Sequence, residues 1–259
     1  MTTTAPTRKS TANQRVPMTS LRKSSLAAGV FYLLTFVSIP VLTLYKPVRD
    51  PNFIIGGGPD YGVIIGCVLE IIVALAGIGT AVALYPVVKR QNQATALGFV
   101  GVRVLEASAI FVGVMSLLTL VTLRQANLGA DAVITGRALS AFHDWTFLAQ
   151  GLLPAVNALL LGSLLYKSRL VPRILPTLGL IGAPLLAASS LATVFGLWDQ
   201  TAPQSLLLTI PIAVWEFSLG VYLTVKGFKP CRITAEITAE EAAEVSGAGT
   251  LPTQQGVTT

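Results

Sequence analysis

Four charged residues lie deep inside long apolar segments of this sequence: Glu70, Arg103, Glu106 and Glu216. A carboxylate can take up a proton or hold a cation, and an arginine can pair with carboxylates through its fork of N–H donors. Each of the four lies about nine to twelve residues from the nearer end of its segment, roughly 13–18 Å along a helix. Charged side chains at that depth in a lipid bilayer need partners, and they are candidates for function.

The charges of this candidate cluster do not balance, because one arginine faces three carboxylates. Arg103 and Glu106 can meet on one helix face, since they are three residues apart. A low dielectric disfavours the remaining negative charge, so we expect a carboxyl to be protonated, a cation to be bound or water to reach the site. Two interpretations stay open: a structural network that fixes helix register, or a site that responds to protons or cations.

A second polar feature is a stripe along the fourth apolar segment. His143, Gln150 and Asn157 recur every seven residues and therefore lie near one helix face, and Asp144 follows His143. The stripe is either a hydrated, substrate-lining face or a set of ordinary hydrogen bonds between helices, each worth about 0.6 kcal/mol. The second interpretation is the simpler one.

The sequence contains no pattern typical of a metal site, a disulfide, a phosphate-binding loop or a catalytic nucleophile. His143 is the only histidine, and adjacent helical residues such as His143 and Asp144 point about 100° apart. The two cysteines, Cys67 and Cys231, have neither metal-ligand nor disulfide spacing. No glycine loop has the context of a phosphate-binding motif, and no serine or cysteine has that of a nucleophile. We therefore predict a non-enzymatic protein without catalytic residues, bound metal or cofactor.

The elements that position these residues are predicted to be transmembrane helices. Charged residues make up only 12% of the chain against 53% hydrophobic ones, and the mean hydropathy is +0.69. Apolar runs of about 20 residues or more match the roughly 30 Å of a bilayer core, where only helices satisfy every backbone amide in such a run. The sequence predicts an all-α bundle of six transmembrane helices over residues 25–228, with spans at about 25–45, 61–85, 95–123, 140–166, 174–197 and 205–227. Aromatic residues near the span ends, including Tyr45, are typical of an interfacial belt.

The two tails are polar, and we predict disorder for residues 1–24 and 229–259. The positive charge indicates the orientation of the bundle. Of 18 Lys and Arg residues, 13 fall on the side of the tails and 4 on the other side, while Arg103 lies within a span. This asymmetry predicts a multi-pass plasma-membrane protein with both termini in the cytoplasm. The net charge of +6 is explained by this sidedness, so no nucleic-acid partner is expected.

Five segments of the sequence resemble a known bacterial family. They are residues 83–89, 96–99, 103–107, 143–147 and 162–175. Together, and in this order, they resemble the uncharacterised integral-membrane family catalogued as domain of unknown function 4386, over about residues 20–228. The most specific parts are the Arg103–Glu106 pair and the Tyr-Lys-Ser…Pro-Arg loop after the fourth span. The resemblance implies a six-helix membrane domain and assigns no activity.

Three hypotheses about function follow. In the first, the protein is not an enzyme, the charge cluster organises the bundle within the lipid bilayer, and it also binds a proton or a cation. In the second, the protein is a transporter of a small solute, coupled to protons or not, which would need a hydrated cavity that reaches the cluster. In the third, it is a membrane-embedded enzyme, which would need His143 and several carboxylates to converge on one metal, at about 2.0–2.2 Å.

Overall fold

The structure is a computed structural model that describes residues 18–248. Within that range, six helical segments are long and apolar enough to cross a membrane, and no strand occurs. The predicted all-α bundle of six transmembrane helices is therefore confirmed. The α-helices are α1 (Ser20–Leu34), α2 (Val41–Leu44), α3 (Tyr61–Val88), α4 (Gln93–Gln125), α5 (Ala132–Ser168), α6 (Ile174–Val194), α7 (Pro203–Val225) and α8 (Arg232–Ala248), and short 3₁₀ helices lie at Thr35–Ser38, Lys46–Arg49, Phe53–Ile55 and Gly129–Asp131.

The first span is interrupted, and the cause is Pro40. Helix α1 passes through the 3₁₀ turn at Thr35–Ser38 before α2 resumes at Val41. Proline lacks an N–H and its ring crowds the preceding turn, so a regular helix cannot run through it without distortion. The hydroxyl of Thr35 donates to the carbonyl of Tyr32 at 2.7 Å, and that of Ser38 donates to the carbonyl of Thr35 at 3.2 Å. These side-chain bonds supply donors to carbonyl oxygens at the point where the helix is interrupted.

The six spans form a closed ring in chain order. The first span packs against α3, α3 against α4, α4 against α5, α5 against α6 and α6 against α7, and α1 also packs against α7. Large apolar side chains point outward on these helices, including Val82, Leu105 and Met115. An exposed apolar surface of this kind suits contact with lipid.

Helix α8 corrects the prediction that residues 229–259 are disordered. Ile233 and Ile237, four residues apart on one face, are buried against the apolar core at the end of the bundle where α1 begins and α7 ends. Arg90 donates to both carboxylate oxygens of Glu240, at 2.7 and 2.6 Å, and Ser20 bonds to Glu241. The apolar stripe is too narrow to indicate a helix by itself, and the contacts with the bundle stabilise it. Residues 249–259 lie outside the described residues.

At the other terminus, residues 20–24 were also predicted to be disordered, and they form the first turns of α1. The side chain of Thr19 caps this helix by accepting a hydrogen bond from the backbone N–H of Arg22 at 3.3 Å. The predicted disorder of residues 1–17 lies outside the described residues.

Candidate functional site

Arg103 is the centre of a buried ion-pair network that joins two helices. Its Nη1 donates to Oε2 of Glu106 at 3.0 Å, and its Nη2 donates to Oε1 of Glu216 at 2.9 Å. Glu106 lies one turn along α4, whereas Glu216 is on α7. Arg103 is only 3% exposed, so both pairs form away from bulk solvent. Arg103 therefore pairs with carboxylates, as the sequence predicted.

Polar and aromatic neighbours hold this network in place. Asn157 on α5 donates its Nδ2 hydrogen to Oε2 of Glu106 at 2.7 Å, and the Tyr32 hydroxyl accepts from Nη2 of Arg103 at 3.4 Å. The rings of Tyr32 and Phe99 lie 5.4 and 5.9 Å from the guanidinium carbon, within cation–π range. We call Tyr32, Arg103, Glu106, Asn157 and Glu216 the arginine site. It contains one guanidinium and two carboxylates, and thus has an excess negative charge when both acids are ionised.

Glu70 does not belong to the arginine site, contrary to the prediction of a single four-residue cluster. The reason is depth along the bundle. Glu70 is about 14 Å from the Tyr61 end of α3, while Arg103 is about 15 Å from the Gln93 end of α4, and these two helix ends lie on opposite sides of the bundle. Helices of 28 and 33 residues are longer than a bilayer core is thick. Both residues can therefore lie far from the helix ends and still be at different depths in the bundle. The residue of α3 beside Arg103 is Gly77, about two turns from Glu70.

Glu70 lies instead in a second polar group, which we call the histidine site and define as Tyr45, Cys67, Glu70 and His143. The Tyr45 hydroxyl donates to Oε2 of Glu70 at 3.0 Å, and Nε2 of His143 is 3.9 Å from the same oxygen. Sγ of Cys67 lies 3.7 Å from the Tyr45 hydroxyl. His143 packs edge to face against Tyr45, with ring centroids 5.2 Å apart. These contacts hold the imidazole beside a buried carboxylate.

The predicted polar stripe on α5 connects the two sites. His143 belongs to the histidine site and Asn157 to the arginine site, and Gln150 lies between them along the helix. Asp144 has a largely exposed carboxylate 3.9 Å from Nδ1 of His143. Within residues 18–248, no three His, Cys, Asp or Glu side chains are placed to hold a metal ion together.

A central cavity of about 1200 Å³ links these groups. Residues from all six spans line it, as the ring arrangement allows. Its floor includes Arg103, Glu106 and Glu216, and its wall includes Gln150 and His143. Trp198 and Asp199, in the loop between α6 and α7, lie at its mouth, so the cavity opens at the end of the bundle opposite α8.

The other side of the arginine site is closed by apolar packing. Phe99, Leu84, Trp215 and Leu219 are fully buried in a core cluster that continues to Ile233 of α8. Water therefore has a route to the arginine site from one end of the bundle, and this dry core separates the site from the other end.

Two tyrosines in these sites were missed by reasoning from sequence. Tyr45 fitted the interfacial belt by position, yet its hydroxyl points inward to Glu70. Tyr32 lies in the middle of the first apolar run and is fully buried against Arg103. The signal that could have found Tyr32 is a phenol far from a predicted span end, because a buried hydroxyl needs a partner.

Comparisons with known proteins identify a family for this chain. No curated protein and no solved structure matches the chain. A family model described as "Domain of unknown function (DUF4386)" matches residues 27–227, which cover both polar sites, five spans in full and the first span from residue 27 onward. The chain therefore belongs to the DUF4386 family, and its six apolar helices are those of a multi-pass membrane protein.

Proposed function

We propose that this protein is a non-enzymatic transporter of a small solute, which binds in the central cavity above the arginine site. The observation that carries the proposal is the one-sided cavity: it reaches Arg103, Glu106 and Glu216 and ends there against a dry apolar core. A purely structural network would have no need of a cavity of this size. A transporter requires such a site near the middle of the bundle, with access from one side at a time.

The direction of access follows from the charge distribution. The excess of Lys and Arg on the side of the chain termini supports a plasma-membrane protein with cytoplasmic termini. In that orientation the cavity opens to the outside of the cell, and α8 lies at the cytoplasmic end. Transport then requires a second state, in which the apolar core around Leu84 and Trp215 separates and the outer mouth closes.

The chemistry at the cavity floor fits binding better than catalysis. The strongest donors there, both Nη groups of Arg103, are already bonded to carboxylates. The remaining carboxylate oxygens can bind and release a proton or a cation without any covalent step. Proton uptake by Glu106 or Glu216 would also adjust the charge of the site as a solute enters or leaves.

Thiol accessibility tests the proposal without knowledge of the solute. Ala213→Cys places a thiol on the cavity lining, one turn from Glu216, in a background with Cys67→Ala and Cys231→Ser. The probe is a membrane-impermeant trimethylammonium methanethiosulfonate, applied to right-side-out or to inside-out vesicles. A transporter exposes the site to each side in turn, so we expect labelling from both faces of the membrane.

The matched control is Val214→Cys, because Val214 adjoins Ala213 on α7 but faces outward and is 45% exposed. It should remain unlabelled from either face. Labelling of Ala213→Cys from only one face would contradict transport and leave a receptor-like binding site. Absence of labelling from both faces would contradict a hydrated cavity altogether.

A further inference from the structure

We infer that the central cavity binds an amphipathic organic cation, with the charged group at the arginine site and an apolar body along the cavity wall. This inference deepens the proposed function and names the ligand class for the same cavity. It rests on three independent features of the lining: its net charge, the hydrogen-bonding state of the floor, and the chemistry of the wall and mouth.

The charged residues that line the cavity are mostly acidic. There are four carboxylates and two guanidinium groups, namely Glu106, Asp144, Asp199, Glu216, Arg49 and Arg103. A cleft with one sign of charge and low-dielectric walls concentrates ions of the opposite sign. The cavity therefore attracts cations from its mouth to its floor.

The hydrogen bonds at the floor favour a cation over an anion. Arg103 uses Nη1 and Nη2 to hold one oxygen of each glutamate, and its Nε is fully enclosed without a partner. An anionic ligand would therefore meet a guanidinium whose Nη1 and Nη2 are already bonded to carboxylates and whose Nε is out of reach. In contrast, Oε1 of Glu106 and Oε2 of Glu216 have no hydrogen bond among the described residues, and neither is an enclosed atom.

Arg103 therefore acts as a positioning residue. By bonding to one oxygen of each acid, it holds both carboxylates side by side and leaves their second oxygens open to the cavity. An ammonium group carries donors and a positive charge, and both match this pair of acceptors. Displacement of Arg103 is unnecessary for such a ligand to bind.

The wall and mouth of the cavity suit an apolar or aromatic body. Phe36, Phe147, Trp145 and Trp198 line it, and the faces of aromatic rings attract cations as well as apolar groups. Two polar atoms on the wall are enclosed and lack hydrogen-bond partners: Nε2 of Gln150 and Nε2 of His143, a residue only 4% exposed. Both nitrogens are covered by neighbouring protein atoms, so a ligand in the cavity would contact the aromatic rings and not these two atoms.

A pair of probes with the same shape and opposite charge tests the ligand class. Tetraphenylphosphonium and tetraphenylborate are each added to the full-length protein in detergent, and binding is measured by equilibrium dialysis and by the shift of the thermal unfolding midpoint. We expect saturable binding of the cation with a rise in the midpoint, and no saturable binding of the anion.

Glu216→Gln tests whether the floor is the binding site. It keeps the shape of the side chain but removes the charge that attracts the phosphonium, so we expect the affinity for tetraphenylphosphonium to fall about tenfold or more. Asp131→Asn is the matched control, because Asp131 is an exposed carboxylate at the same end of the bundle that does not line the cavity. Elution as a single species in gel filtration shows whether each variant has folded, and Glu106→Gln is the second variant if Glu216→Gln aggregates.

Equal binding of the two probes, or unchanged affinity in the folded glutamine variants, would overturn the inference. The binding experiment and the thiol experiment can therefore fail independently of each other. Two-sided labelling without cation preference would leave transport standing with another ligand. Cation binding with one-sided labelling would leave the ligand class standing without transport.

Discussion

Nη2 of Arg103 and Oε1 of Glu216 are joined by a 2.9 Å hydrogen bond across the interior of the helix ring, although 113 residues separate them in the chain. Their helices, α4 and α7, are not adjacent members of the ring. The long arginine side chain bridges the space between them and so defines the floor of the cavity. The contact lies where the water-accessible cavity ends and the dry apolar core begins.

Replacing Arg103 with leucine should leave two buried carboxylates without their cation. The expected loss is about 3 kcal/mol of unfolding free energy at neutral pH, because removal of one partner of a buried ion pair leaves uncompensated charge. Denaturant unfolding in mixed micelles measures it. Adding Glu216→Gln to Arg103→Leu should restore part of the loss. Arg137→Leu, at an exposed position, is the control, and an equal loss there would refute the specific pairing.

Tyr45→Phe should weaken the histidine site while the packing of the ring is kept. The variant loses the hydrogen bond of 3.0 Å to Glu70, leaving that carboxylate with His143 at 3.9 Å. We expect a loss of about 0.6 kcal/mol, the average worth of a side-chain hydrogen bond between membrane helices. Tyr61→Phe is the matched control, because Tyr61 is 74% exposed at the start of α3. If Tyr45→Phe and Tyr61→Phe both have the thermal unfolding midpoint of the parent, the Tyr45–Glu70 hydrogen bond does not stabilise the protein.

Gly179→Ala should separate α6 from α7. A Cβ atom at Gly179 would lie 2.5 Å from Cδ2 of Trp215, a fully buried ring next to Glu216 in the chain. Overpacking of this kind costs about 1–3 kcal/mol. Gly101→Ala on α4 is the control, since no atom lies within 4 Å of its Cβ position and alanine favours helix. A lower thermal midpoint is expected for Gly179→Ala only, and equal midpoints would contradict the tight contact.

Docking of α8 should depend on pH through Glu240. The hydrogen bonds from Arg90 are the main reason that the pKa of this carboxyl lies below its ordinary value, and partial burial opposes them. Because the pKa is lowered in the docked state, the contribution to docking is complete above the ordinary glutamate pKa. It is lost as the pH falls through the lowered pKa of the docked helix.

A nitroxide on Ala239→Cys, in the background without Cys67 and Cys231, reports this undocking as mobility that increases when the pH falls below about 4.3, the ordinary glutamate pKa, toward about pH 3. The same label with Glu240→Gln should be more mobile at neutral pH and respond less to acid. If both proteins show the same pH dependence, Glu240 is not the group responsible.

The spans themselves could be predicted from sequence, because hydrophobicity and length are properties of contiguous residues. Any apolar run of about 20 residues must form a helix in lipid, whatever its neighbours are. The same local reasoning found Arg103, Glu106 and Glu216 as buried charges. Their spacing on α4 also predicted correctly that Arg103 and Glu106 meet.

The tertiary structure decided which polar residues meet across helices. Glu70 was predicted to join Arg103, but the relative depth of the two residues in α3 and α4 places it with Tyr45 and His143 instead. Docking of α8 could likewise not be predicted from the sequence, since Ile233 and Ile237 are buried only by contact with the bundle. Depth, rotation and the cavity all depend on how six long helices pack together, and a pattern read along one chain segment contains no information about that packing.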